Sequence, residues 1–273
     1  MRALDGSHFN SHRYTNVLRG FSKLLYNIKC CLAYDGRDFY GWQKTEAGPS
    51  IESTVQDVIE LILQHPVKLQ AASRTDRGVH AQGQIINFFT PKELDLSLFR
   101  CSCNRLLPPS IRMLQIEIAA DDFHPSLSTI GKTYTYEVMH GILHPLKRHT
   151  VWSYAYPLDL QLMQKATHLC TGERNFKAFE NVSASMASDT ICNLSCFEVM
   201  QIDNHFLFEL YGNRFLYKMV RNLIGMVCAI GSGQLEINAI ESIFASEKRY
   251  NAFPCAPAHG LCLKSVAYTN SEN

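Results

Sequence analysis

The sequence predicts an α+β fold whose two halves repeat a similar order of elements. Three observations carry this. The first half reads as strand, helix, strand, strand, helix, strand, the order of a split βαβ unit. The second half supplies another strand, a helix, a strand pair, a long helix, a short helix and a closing strand. Hydrophobic residues make up 46% of the 273 residues, enough for a sizeable core.

Tyr26 to Tyr34 reads as the first strand, followed by the aromatic turn Asp35-Gly36-Arg37-Asp38-Phe39-Tyr40-Gly41-Trp42-Gln43, whose Phe39, Tyr40 and Trp42 are expected in the core. Ser50 has the character of an N-cap. Ile51, Val55, Val58, Ile59, Ile62 and Leu63 then recur at helical spacing, and His65-Pro66 stops that helix. Val67 to Ala71 and Gln84 to Phe89 read as strands around a polar loop. Asp95 to Arg105 reads as a helix with Leu96, Phe99 and Cys103 inward, broken by Leu107-Pro108-Pro109, and Ile111 to Ala119 as a strand.

Asp121 to Pro125 bridges to the second half. Lys132 to Val138 alternates strictly, so Tyr134, Tyr136 and Val138 share one strand face. Asp159 to Cys170 reads as a helix, after which Gly172-Glu173-Arg174-Asn175-Phe176 breaks the pattern. Residues 190–201 and 205–211 read as strands around a turn at Asp203-Asn204. Phe215 to Gly231 is expected as one helix, with Phe215, Met219, Leu223, Met226 and Ile230 buried. Arg214, Lys218 and Arg221 then form a basic stripe at i, i+4 and i+7. A short helix near Asn238–Ala245 and a strand Leu261–Ala267 complete the order. The resulting division is an arm of open character over residues 1–25, an amino-terminal half over 26–124 and a carboxy-terminal half over 125–270.

Composition narrows the function classes. No run of ~18 apolar residues is available to span a membrane. No charged start leads into an apolar region, so a secretory signal is not expected. Ten cysteines are scattered without zinc-finger spacing and read as reduced thiols of a cytoplasmic protein. The formal net charge is +1, so any nucleic-acid surface must come from locally concentrated cations.

The stretch with the most chemistry is the loop Ser73-Arg74-Thr75-Asp76-Arg77-Gly78-Val79-His80-Ala81-Gln82-Gly83. A carboxylate flanked by arginines suits a nucleophile or base, and the arginines suit a phosphate backbone. A surface hairpin with ordinary charges is the alternative at this point. The chain has no phosphate-binding glycine loop, no metal-ligand spacing and no nucleophile-elbow serine. A lone Asp with cationic and aromatic helpers fits an enzyme that acts on a base drawn out of a nucleic acid. His80 reads as a loop-packing residue before a catalytic one.

These residues resemble the TruA family of tRNA pseudouridine synthases, over roughly residues 26 to 268. The most specific piece is Arg74-Thr75-Asp76-x-Gly78-Val79-His80-Ala81-x-Gly83-Gln84. Tyr34-Asp35-Gly36, Tyr40-Gly41-Trp42-Gln43, Asp122-Phe123-His124, Lys132-x-Tyr134-x-Tyr136, Gly172-Glu173-x-x-Phe176, Phe215-Leu216-x-x-Met219-Val220-Arg221-Asn222-x-x-Gly225 and Ala256-Pro257-Ala258-x-Gly260-Leu261 follow in family order. The resemblance implies the pseudouridine synthase fold: two α/β halves, largely antiparallel sheets flanked by helices, and a catalytic cleft between them. It implies that Asp76 attacks the target uridine, at C6 or at C1′. Arg74 would help flip the base, Tyr134 stack on the uracil and share in proton removal at C5, and Arg221 pair with the catalytic carboxylate. Arg77 falls at a variable position of the motif. The resemblance further implies an isomerisation with no cofactor or metal, and a homodimer acting on positions 38 to 40 of the tRNA anticodon stem-loop.

The chain departs from the family pattern at several places. His124 is followed by Pro125-Ser126 in place of Ala-Arg, Ser110 replaces an Asp, and His259 replaces a Glu. Asp189 stands where family members often carry arginine. Each lost cation removes a phosphate contact and its share of affinity.

Overall fold

The structure is a computed structural model that describes residues 25–181, 189–248 and 252–269. The expected amino-terminal arm, apart from Leu25, lies outside the described residues. The strands are β1 (Tyr26–Tyr34), β2 (Gln70–Ala71), β3 (His80–Thr90), β4 (Ile111–Ile118), β5 (Thr129–His140), β6 (Trp152–Tyr154), β7 (Gly172–Asn175), β8 (Ile191–Ile202), β9 (His205–Gly212) and β10 (Leu261–Tyr268). The helices are α1 (Ile51–Leu63), α2 (Leu96–Leu106), α3 (Leu160–Leu169), α4 (Met219–Gly231) and α5 (Ala239–Ser246).

Local chemistry sets the helix starts. The Ser50 hydroxyl accepts from the Ser53 N–H at 3.1 Å, and the Ser53 hydroxyl accepts from the Ser50 N–H at 3.2 Å. Ile51, Val55, Ile59 and Leu63 follow as the buried face of α1. Asp95 and Asp159 cap α2 and α3, their carboxylates accepting from Leu98 and Leu162 N–H at 3.0 Å each. No helix among the described residues is long and apolar enough to cross a membrane.

One sheet runs through both halves in the order β4-β1-β3-β10-β5-β9-β8-β7, with β2 added to β3 and β6 to β5. Its pairs are antiparallel except β10 with β3 and β6 with β5. The α+β class holds, and the sheet is continuous through β10, the last strand among the described residues. On one side of β10, Cys262 pairs with His80 and Leu263 with Ala81; on the other, Leu263 pairs with Tyr134. The loop entering β3 and the tyrosine strand β5 are thereby held about two strand spacings apart, or about 9.5 Å.

Five expectations change. The strand expected over Val67–Ala71 shrinks to β2, because the Val67 N–H donates to the Glu60 carboxylate at 3.0 Å and ties that backbone to α1. The second flanking strand begins early, at His80, so the end of the loop already belongs to the sheet. The break expected at Gly172–Phe176 is largely strand β7, paired to the edge of β8. The helix expected from Phe215 begins at Met219. Lys218 is left-handed (φ 60°), and the Tyr217 carbonyl accepts from the Asn181 N–H at 3.1 Å, so the extra turn cannot form. Nor is α4 striped: every residue in it except Arg221 is buried.

Candidate active site

The polar loop between β2 and β3 is held from three sides. The fully buried Gln84 side chain accepts from the Ser73 N–H at 3.2 Å and donates to the Ser73 carbonyl at 2.6 Å. Tyr34 and Thr75 share a buried hydroxyl–hydroxyl bond of 2.8 Å, and the Thr75 carbonyl accepts from the Trp42 N–H at 3.0 Å. The Val79 N–H returns to the Asp76 carbonyl at 3.1 Å across Gly78, whose φ of 81° favours glycine. The aromatic turn packs directly on this backbone. A Cβ on Gly41 (φ 94°) would lie 2.8 Å from the Thr75 carbonyl oxygen, so only glycine allows the approach.

Asp76 projects from this loop to the start of α4. Arg221 Nη1 donates to Asp76 Oδ2 at 2.8 Å, both side chains being largely sheltered. Arg221 Nε donates to the Ala256 carbonyl at 2.7 Å, and the Ala256 N–H donates back to the Arg221 carbonyl at 3.0 Å. Gly225 lets residues 254–256 lie this close, since a Cβ there would overlap the Pro254 carbonyl. A charge-assisted bond with both partners fixed is strong and directional.

Tyr134 reaches the same cleft from β5. It is buried, its hydroxyl is 2.8 Å from Ser73 Oγ, and its ring meets Phe215 edge to face at 5.1 Å. Burial pushes its pKa up to about 12; the Ser73 hydrogen bond opposes the shift, and the Asp76 charge reinforces it. The ring is therefore a neutral phenol at ordinary pH. Arg74 is exposed at the cleft wall and makes no hydrogen bond or ion pair among the described residues. The cleft bounded by these groups has a volume of about 960 Å³.

Other expectations come out differently. The basic stripe is not one face of a helix, because Arg214 and Lys218 precede α4. Arg214 pairs with Asp189 at 3.0 Å, Lys218 lies 5.1 Å from the Tyr217 ring, and of the three Arg221 is the one that pairs with Asp76. Phe39 and Trp42 are core residues, whereas Tyr40 is exposed. The Arg77 guanidinium stacks over its ring at 4.2 Å. His80 Nδ1 accepts from the Gly36 N–H at 3.2 Å, and Nε2 engages the His149 carbonyl at 2.9 Å. Asp35 lies 3.2 Å from that same Nδ1. His80 thus packs the loop base, as expected.

A family model for tRNA pseudouridine synthase matches residues 30–125 and 166–269. The chain belongs to the tRNA pseudouridine synthase family. Among its relatives, "tRNA pseudouridine synthase A 2" of Protochlamydia amoebophila is 44% identical over 252 residues, covering 90% of this chain and 96% of the relative. "tRNA pseudouridine synthase A" of Thermodesulfovibrio yellowstonii is 35% identical over 254 residues, covering 89% and 100%. The protein of the same name from Lactococcus lactis subsp. cremoris is 37% identical over 248 residues, covering 88% and 96%. Within this tRNA pseudouridine synthase, Arg74, Asp76 and Arg221 fall inside the matched segments, and Tyr134 falls between them.

Sequence reasoning missed the clamp on the loop of this tRNA pseudouridine synthase. Gln84 was legible as a polar residue entering a strand of apolar neighbours, a pattern that asks for a buried partner. Ser73 gave no such signal, since a loop serine is ordinary. Lys132 was legible as part of an alternating strand and of the Lys132-x-Tyr134-x-Tyr136 motif, but with no role of its own, and it lines the cleft beside Tyr134.

Proposed function

We propose that this protein isomerises uridine to pseudouridine in tRNA, with Asp76 as the attacking carboxylate. The observation that carries the reading is the Asp76–Arg221 pair at 2.8 Å on the wall of a cleft of about 960 Å³, in a chain of this family. In the reaction the C1′–N1 bond breaks, the uracil turns, and C5 joins C1′. The proton on C5 leaves and N1 takes one up, so the composition is unchanged. Arg221 aims the carboxylate and offsets its charge. Tyr134, a neutral phenol with one ring edge on Phe215, offers a flat face on which uracil stacks. Arg74, free at the wall, suits the space left by a flipped base, offsetting an unstacking cost of a few kcal/mol. Family resemblance supports the anticodon stem-loop as substrate and a homodimer as the working form.

The test is to incubate the protein with tRNA carrying 5-tritiated uridine, follow tritium release, and map pseudouridine in the product. Release from the anticodon stem that disappears in Asp76→Asn is the expected result. Product that survives Asp76→Asn would sink the mechanism. Salt-sensitive tRNA binding without any product would make the chain a binding module.

A further inference from the structure

Of the cations that line the cleft and that the proposed chemistry does not use, Lys132 lies nearest in sequence to the stacking tyrosine. Lys132 sits on β5 two residues before Tyr134, so the two side chains leave the same face of the strand. A two-residue step along a strand is about 6.6 Å, the scale of one nucleotide in an extended chain. Its strand neighbours are Gly212 on β9 and Val266 on β10, neither of which carries charge. Lys132 lines the cleft and is more than half buried, but among the described residues it forms no hydrogen bond or ion pair. The charge felt most by its ammonium is a like one, that of Arg214. Arg214 has a carboxylate of its own in Asp189; Lys132 has none.

A sheltered ammonium without a counter-ion is costly. Burial, with Arg214 adding to it, pulls the Lys132 pKa down to about 8. A neutral side chain of similar length would fill the position at less cost, so the arrangement makes physical sense if an anion arrives to complete it. RNA brings only phosphates as anions.

We infer that Lys132 binds a backbone phosphate adjacent to the nucleoside that stacks on Tyr134, fixing the register of the strand in the cleft. This rests on the RNA substrate proposed above and adds a residue to it. The contact is one point charge to one phosphate, which anchors position without reading sequence. It sits where a displaced nucleotide would otherwise slide along the cleft.

The experiment uses the full chain as wild type, Lys132→Gln and Lys132→Arg, with anticodon stem-loop RNAs in which each phosphate around the target uridine is replaced, one at a time, by a neutral methylphosphonate. Binding is measured over a range of salt. One modified position is expected to weaken wild-type binding about tenfold and lower the salt slope by about 0.7 to 0.9. Lys132→Gln is expected to show the same loss on unmodified RNA and no further loss at that one position, while Lys132→Arg retains most of the affinity. If losses from Lys132→Gln and from every methylphosphonate simply multiply, or if Lys132→Gln binds as wild type, the phosphate contact is wrong. Removing an unpaired buried charge should leave the melting temperature unchanged or raise it. Should Lys132→Gln nevertheless fold poorly, the wild type with the modified RNAs decides alone, and the absence of any sensitive phosphate overturns the inference. Coupling without pseudouridine formation would leave the phosphate contact standing and remove the proposed reaction; pseudouridine formation without coupling would do the reverse.

Discussion

Arg221 holds Asp76 with one arm of its guanidinium and the Ala256 carbonyl with another, at 2.8 and 2.7 Å. The carboxylate on the β2–β3 loop is thereby oriented by a helix start and a carboxy-terminal segment far away in sequence. Arg221→Lys keeps the charge but cannot make both contacts at once. With the carboxylate no longer held in one orientation, kcat should fall about 100-fold, a barrier increase of about 2.7 kcal/mol. The measurement is tritium release at saturating tRNA; a change below threefold would remove the orienting role.

Ser73 is the hydroxyl partner of Tyr134. Ser73→Ala leaves a buried phenol without its bond, a loss of about 1–3 kcal/mol in stability. Tyr134→Phe removes the other partner, and the double substitution should cost less than the two single ones added. Urea denaturation of the four proteins measures this coupling. Tyr134→Phe should also lower turnover more than tRNA affinity; equal losses would contradict a place in the chemistry.

Gly41 lets the aromatic turn lie on the loop backbone. With φ at 94° and a Cβ that would approach the Thr75 oxygen to 2.8 Å, Gly41→Ala must push the loop away or strain the turn. A loss of about 1–3 kcal/mol in stability is expected, accompanied by a loss of kcat, because Thr75 adjoins Asp76. Thermal melts and single-turnover kinetics together test this, and unaltered kinetics would uncouple the turn from the site.

Asp189 occupies Arg214 at 3.0 Å on the surface beside the cleft. Asp189→Asn releases that arginine for phosphate. Affinity for tRNA should rise severalfold at low salt, and the salt slope should steepen by about 0.7 to 0.9. Binding isotherms at several salt concentrations decide this; an unchanged slope would mean that Arg214 lies outside the RNA footprint.

Burial raises the pKa values of Tyr34, Tyr134 and Tyr136 above the ordinary tyrosine value, Tyr134 to about 12. The folded protein therefore keeps phenolic protons that the unfolded chain loses above pH 10. The stability tied to these groups is fully present below pH 10 and is lost as pH rises through the folded values. For Tyr134 alone the loss reaches about 2–3 kcal/mol. Melting temperatures at pH 9 and pH 11 should differ in that direction.

The sequence by itself determined the α+β class, the cap at Ser50, most of the order of the elements and the residues of the loop. Each of these is written in short-range patterns: periodicity, a capping side chain, a glycine at a turn. The resemblance also named Asp76, Tyr134 and Arg221 as partners, and they line one cleft. Tertiary structure decided what short-range patterns cannot carry. It turned the expected basic stripe into three separate cations, because Lys218 is left-handed and Asn181 takes the Tyr217 carbonyl. It moved Tyr40 from core to surface under Arg77. It also placed β10, from the end of the chain, between β3 and β5, and so set the distance between the loop and the tyrosine. Strand neighbours far apart in sequence are chosen by long-range backbone pairing and burial, and a local pattern of residue types holds no record of that choice.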